Sequence, residues 1–145
     1  MPTTSKRRKN KVVVQYRVAR RGVPRAASLR KWARAAAAAD VTLRIVGARE
    51  GHFLNRRFRN KKRATNVLSF SYGEHGDVVL CHPVIRREAR AQGKSVAAHY
   101  AHLVVHGVLH LRGYDHKKKR ETSRMARAEI RILRRLNFRN PYELE

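Results

Sequence analysis

Cysteine is nearly absent: Cys81 stands alone in 145 residues, so the chain closes no internal disulfide and suits a reducing compartment. Long apolar runs are missing as well, and none approaches the ~18–20 residues that a membrane-spanning helix needs. The basic start MPTTSKRRKNK leads into the strand-like VVVQY instead of the apolar stretch of a signal peptide, so the expectation is a cytoplasmic chain with no membrane partner. No repeat and no low-complexity segment is seen apart from one alanine run. Acidic residues are the scarcest class in proportion. Ten Asp and Glu face thirty-five Lys and Arg, a formal net charge of +25. Solubility needs far less charge, and either sign would serve it. Such an excess gives some faces a strongly positive potential that draws in polyanions. Nucleic acid is the first expectation and an anionic membrane surface the second.

What is present is ordinary for a folded protein. Hydrophobic residues make up 42% of a chain long enough to bury a core in one domain. Residues 1–11 read as a basic arm and 12–145 as the domain. Val12–Tyr16, rich in β-branched residues, reads as a strand. Ser28 is the expected N-cap of a helix through LRKWARAAAAA that stops at Asp40, with Leu29, Trp32, Ala33 and Ala36 in one apolar stripe. Val41–Val46 alternates as a strand and closes at Gly47. Residues 48–58 suit a short helix with Phe53, Leu54 and Phe58 inward and Arg56 and Arg57 outward. Val67–Tyr72, a turn over Gly73–Gly76 and Asp77–Cys81 read as a hairpin. Pro83 suits the first turn of a helix over 83–91. Helices over Ser95–Leu111 and Lys119–Leu136 follow, the last with Ile130, Leu133 and Leu136 as its core stripe. Strands early and helices late predict an α+β fold: a small mixed, mostly four-stranded sheet packed with about five helices.

The chemistry gathers in HLVVHGVLHLRGYDH, residues 102–116. His106 and His110 are four apart, so a helix brings both imidazoles to one face. Gly113 lets the helix end in a left-handed conformation, and His116 returns from that turn as a third ligand. Three neutral nitrogens with an open fourth position describe a catalytic zinc site. Zinc there would lower the pKa of bound water to near ~7 and polarise a carbonyl or phosphoryl oxygen. Imidazoles also accept nickel or copper. His99 and His102, one or two turns earlier, are read as outer partners or as satisfied half-buried side chains. His52, His75 and His82 have no motif around them. The spacing also matches the metzincin proteases, H-E-x-x-H-x-x-G-x-x-H, but Gly107 stands where their general-base Glu would be. Only Asp115 is at hand to replace it, which disfavours a peptidase.

HGVLHLRGYDH resembles the signature of the YbeY family of bacterial endoribonucleases, H-G-x-L-H-L-x-G-Y-D-H. LNRRFRNKKRATNVLSF resembles that family's L-N-x-x-[YF]-R-x-x-x-x-[AP]-T-[ND]-V-L-S-F block. GDVVLCHPVIRREARAQGKS and MARAEIRILRRLNFRNPY are similar to its following and closing segments. The likeness runs over about residues 40–142, while residues 1–39 share only a strand-then-helix layout. The resemblance implies a zinc-dependent, single-strand-specific endoribonuclease of ribosomal RNA processing, above all at the small-subunit RNA 3′ end, and of ribosome quality control. It implies one Zn2+ on His106, His110 and His116, with His106 and Arg59 serving cleavage. Arg56, Arg57, Lys61, Lys62 and Arg63 would hold the RNA backbone. The implied partners are ribosomal RNA and the small subunit, with ribosomal proteins or an assembly GTPase besides. A non-catalytic, zinc-stabilised ribosome-binding factor stays open. No RNA-recognition aromatic motif is seen, so base selectivity is expected from the ribosome or its partners. Two departures stand out: Ser71 where Pro commonly follows the V-L-S-F strand, and the basic KKKRETSRMARAE where relatives are usually acidic. Asn66 reads as turn chemistry at a strand start, and Tyr114 and Asp115 as caps of the turn or supports for His116.

Overall fold

The computed structural model describes residues 11–36, 40–59, 66–114 and 119–143, and within 40–59 all side chains except those of Asn55, Arg57, Phe58 and Arg59. The elements follow in the order β1 (Val12–Tyr16), α1 (Ala26–Ala36), β2 (Asp40–Val46), α2 (Ala48–Arg59), β3 (Val67–Tyr72), β4 (His75–Cys81), α3 (His82–Gln92), α4 (Val96–Leu111) and α5 (Lys119–Arg135). The sheet order is β1-β2-β4-β3. β1, β2 and β4 run parallel, with Val14 beside Leu43 and Leu43 beside Val78, and β3 returns antiparallel to β4. This is the expected mixed α+β sheet with five helices. The expected basic arm lies outside the described residues except for Lys11, whose backbone N–H donates to Asp40 Oδ1 at 2.9 Å.

Strand alternation divides the apolar residues between two faces. Val41, Leu43, Ile45, Val78 and Leu80 turn toward the larger core, with the buried sides of α1, α4 and α5. Val46, Leu68, Val79 and Cys81 turn the other way into a smaller cluster with Val84, Leu54 and Phe70. β4 is therefore covered on both faces, while the edge strand β1 turns Val13 and Gln15 outward.

Two helices are fixed by local signals that the sequence carries. Pro83 lies in the first turn of α3, and Gly93, at φ 66°, closes that helix in the left-handed region. The Ser95 hydroxyl accepts from Ala98 N–H and caps α4. α4 then lies hard against the sheet at Gly107, where a Cβ would stand 2.7 Å from Val78 Cγ1. Ser69 Oγ donates to the Gly107 carbonyl at 2.9 Å and ties β3 to the helix.

Three expectations need correction. α1 begins at Ala26 instead of after Ser28, because the Arg25 carbonyl already accepts from Leu29 N–H at 3.1 Å. The chain is delivered there by the Tyr16 hydroxyl, which donates to the Pro24 carbonyl. In α5 the buried stripe is Met125, Ala128, Glu129, Ile132 and Leu133, with Ile130 only half-buried, while Leu136, just past the helix, packs against the same core as expected. In α2, Phe53 faces outward at 59% exposure. Gly51 is the contact residue there, since a Cβ on it would fall 2.8 Å from Cys81 Sγ, and that close approach sets the rotation of the helix.

Candidate metal centre

α4 is buried on nearly every side, through His99, Tyr100, Ala101, Leu103, Val104, Val105, Gly107, Val108 and Leu109. Its half-buried line is His102, His106 and His110, each four residues after the last. Neighbours at this spacing stack along one helix face. The His102 and His106 ring centroids lie 6.2 Å apart and those of His106 and His110 4.8 Å, both pairs edge-to-face.

α5 crosses this line and brings Glu129 to it, 0% exposed. The carboxylate receives His106 Nδ1 on one oxygen and the Tyr142 hydroxyl on the other. His102 Nε2 stands 3.4 Å from the second oxygen and 3.3 Å from Tyr142 Oη. Burial pushes the Glu129 acid up, but the hydrogen bonds from His102 and His106 and their charge outweigh it and hold the group down to about 2. Burial, and then the carboxylate it touches, push the Tyr142 hydroxyl above its ordinary range, so it remains a donor. An ionised carboxylate only accepts, so His106 donates through Nδ1, and Nε2 is the ring nitrogen placed to meet a metal.

His102, His106 and Glu129 each offer a ligand atom, and these atoms lie within 4.8 Å of one another, so the cluster could hold a metal ion. Imidazole and carboxylate donors suit a divalent transition ion. Both Glu129 oxygens are already engaged, however. The carboxylate is better placed to orient His106 than to leave these partners for a cation, as carboxylates behind metal-binding histidines commonly do.

The expected site residues fare unequally. His106 and His110 are adjacent, and Gly113 takes the expected left-handed turn at φ 94°, with its N–H on the His110 carbonyl. His116 and Asp115 lie outside the described residues, as do Lys61, Lys62 and Arg63. Arg59 is the last residue of α2, and its side chain and that of Arg57 lie outside the description. Arg56 is exposed on the same helix. Tyr114 sits beneath the Arg112 and Arg124 guanidinium groups, at 5.8 and 5.4 Å, a packing role.

His99 does not support the site. Its Nε2 pairs with Glu88 Oε1 at 2.9 Å, and Asn66 Nδ2 donates to that same oxygen at 3.0 Å. Burial lowers the His99 pKa against the pull of Glu88. Asn66 therefore links the start of β3 to α3 in addition to any turn chemistry. His82, also without a motif, pairs with the Tyr100 hydroxyl at 2.7 Å in the core.

The sequence offers no motif for Glu129 or Tyr142, and it places His102 only as an outer partner or a satisfied side chain. Two signals were legible: a third histidine one turn before His106, and a glutamate among the apolar positions of α5. Gly107 also gains a physical meaning. The residue after the first histidine points into the sheet at Val78, so no general base of the metzincin kind has room there.

Comparison with known proteins is consistent along the chain. A family model described as Endoribonuclease YbeY matches residues 5–137, extending the likeness through the first strand and helix. A protein named Endoribonuclease YbeY from Nitrosomonas eutropha is 47% identical over 140 residues, covering 92% of this chain and 99% of its own length. One of the same name from Nitrosospira multiformis is 48% identical over 155 residues, covering 92% of this chain and 82% of its own. Another from Aromatoleum aromaticum is 50% identical over 125 residues, covering 82% and 81%. A Thermotoga maritima protein solved in solution matches with a TM-score of 0.52 and 21% identity, over 87% of this chain and 91% of its own, which supports the fold alone.

Proposed function

The chain belongs to the YbeY family of endoribonucleases, and from that premise we propose that it is a zinc-dependent endoribonuclease. Its substrate is single-stranded segments of ribosomal RNA, in small-subunit 3′-end maturation and ribosome quality control. The observation that carries the reading is the His106–His110 pair with the buried Glu129 carboxylate behind His106. Zinc is held by His106, His110 and His116. Bound there, it supplies Lewis acidity, polarising a phosphoryl oxygen and lowering the pKa of water.

The chain's own residues do the rest. Glu129 accepts from His106 Nδ1 and fixes the ring so that Nε2 is the nitrogen presented to the metal. Tyr142 donates to the other Glu129 oxygen and helps hold that carboxylate in place. Arg59 meets the scissile phosphate, where its planar donor fork opposes the charge that grows as the phosphodiester reacts. Arg56, Arg57, Lys61, Lys62 and Arg63 hold the flanking phosphates, which makes binding fall steeply with salt. The packing at Gly107 argues against a peptidase that relies on a glutamate at that place. Among the described residues no helix is long and apolar enough to cross a membrane. Ribosomal RNA and the small subunit are the proposed partners, and ribosomal proteins or an assembly GTPase would bring the enzyme to its site.

The test compares wild type with His110→Ala for metal content and for cleavage of a ribosomal RNA precursor. One zinc per chain and cleavage in wild type, both lost in the variant, is the expected result. Zinc without cleavage, even with ribosomes added, would leave a metal-stabilised ribosome-binding factor. No bound metal would overturn the reading.

A further inference from the structure

α2 turns a face outward that the metal centre does not use. With Gly51 seated on Cys81, a helical rotation of about 100° per residue carries Arg49, Phe53 and Arg56 to the opposite side and His52 to its flank. These four residues line an open cavity of about 520 Å³. That volume lies within the roughly 300–1,000 Å³ of small-ligand pockets, so a single nucleotide fits. Phe53 is 59% exposed between two arginines, one turn before it and one turn after. The helix has one acid in its first turn, Glu50, and it is occupied by Arg44 of β2, with Nε at 2.6 Å. It does not offset the arginine charge on the outer face.

We propose that this face of α2 is a stacking platform for one unpaired base of single-stranded RNA, with Phe53 beneath the base and Arg49 and Arg56 on the phosphates at either side. This rests on the endoribonuclease reading and adds to it a substrate contact at a place remote from the histidines in sequence. An exposed aromatic ring flanked by cations matches how single-strand binders work: the ring takes the face of any base while the cations follow the backbone. Bases in a duplex are already stacked on one another and leave no free face for a side chain. The net charge of +25 favours a polyanion over a neutral protein surface. α2 ends at Arg59, about one turn beyond Arg56.

The test uses the full chain and a labelled single-stranded RNA of about ten nucleotides. Its intactness is checked on a gel after each titration, and its duplex serves as control. Phe53→Trp places a reporter on the platform, while Trp32 is buried against Phe138 and contributes a constant background. The expected result is quenching by the single strand and little by the duplex. Phe53→Ala weakens single-strand binding roughly tenfold, and Phe53→Tyr restores it. Arg49→Ala and Arg56→Ala each lower the salt slope by about 0.7. Wild-type cleavage of ribosomal RNA precursor is followed in parallel. Cleavage by wild type together with an unquenched reporter and unchanged affinity in Phe53→Ala overturns the platform and spares the endoribonuclease reading. Quenching by polyglutamate and not by RNA assigns the face to an acidic protein segment and overturns it too. A wild type that neither binds nor cleaves RNA fails the underlying reading first, and the platform with it.

Discussion

α4 and α2 cover opposite faces of one sheet and show two ways of building polar chemistry. α4 is apolar almost all round, and its histidine line is braced from behind by a carboxylate with no solvent exposure. α2 touches the sheet through Gly51 and Leu54 and leaves arginines and a phenylalanine to solvent. Packed, hydrogen-bonded groups hold ligand atoms to the narrow tolerance a metal demands. Long cationic side chains on an open face suit a backbone whose path varies from one substrate to another. Damage to α4 should therefore register in stability and metal binding together, and damage to the outer face of α2 in RNA binding alone.

The largest effect is expected at Glu129. Glu129→Ala leaves the His106 N–H and the Tyr142 hydroxyl facing a void in the core, a loss of about 3–5 kcal/mol in urea unfolding. Glu129→Gln keeps the shape and lowers zinc affinity by roughly 10- to 100-fold in a competition titration. In the metal-free protein the sign with pH follows from the depressed folded pKa. The stabilisation is complete above the ordinary value of 4.5 and is lost as pH falls toward about 2. Wild type should lose stability through that window more steeply than Glu129→Gln, and equal slopes would show that Glu129 is not held ionised by its partners. Tyr142→Phe should cost less, about 1.5–3 kcal/mol for one hydrogen bond to a charged group, with the half-exposed ring retained.

The two helices also differ in how legible they were. The spacing of His106, His110 and Gly113 was sufficient to expect a helix, a pair of facing imidazoles and a left-handed turn, because all three are local properties of a short segment. Glu129 was hidden because its role depends on which face of α5 meets α4, a tertiary fact. Periodicity assigned Ile130 to the core stripe, whereas Ile132 holds that place. Phe53 misled for a related reason: hydrophobicity ranked it inward, yet the rotation of α2 is set by the close approach of Gly51 to Cys81. Patterns of apolar residues identify a helix more securely than they fix its rotation, which depends on where its smallest residue must go.

Two glycines sharpen that point with a middle-sized effect. Gly107→Ala would press a Cβ against Val78 Cγ1 at 2.7 Å and Ser69 Oγ at 3.2 Å. The expected cost is about 1–3 kcal/mol of overpacking, offset in part by about 1 kcal/mol of helix propensity. Zinc affinity should fall as well, since His106 is its neighbour in the chain. Gly51→Ala meets Cys81 Sγ at 2.8 Å, a single small side chain that can be trimmed. Cys81→Ala should recover most of that cost in a double-mutant cycle, and zinc affinity should not change in either variant. A change in metal binding from Gly51→Ala would mean that the two faces of the sheet are mechanically linked.

The smallest effects are expected where the comparison is most easily broken, on the outer face of α2. Arg49→Ala, Arg56→Ala and Phe53→Ala remove exposed side chains, so each should shift unfolding by no more than about 0.5 kcal/mol and leave zinc content unchanged. A larger loss from Arg56→Ala would show that its aliphatic stem covers apolar surface, making this face part of the scaffold. A small loss in stability beside a clear loss of RNA affinity would instead mark a surface shaped by binding. The contrast follows from burial: a side chain that already gives its contacts to the fold has few left for a ligand, and these three give the fold little.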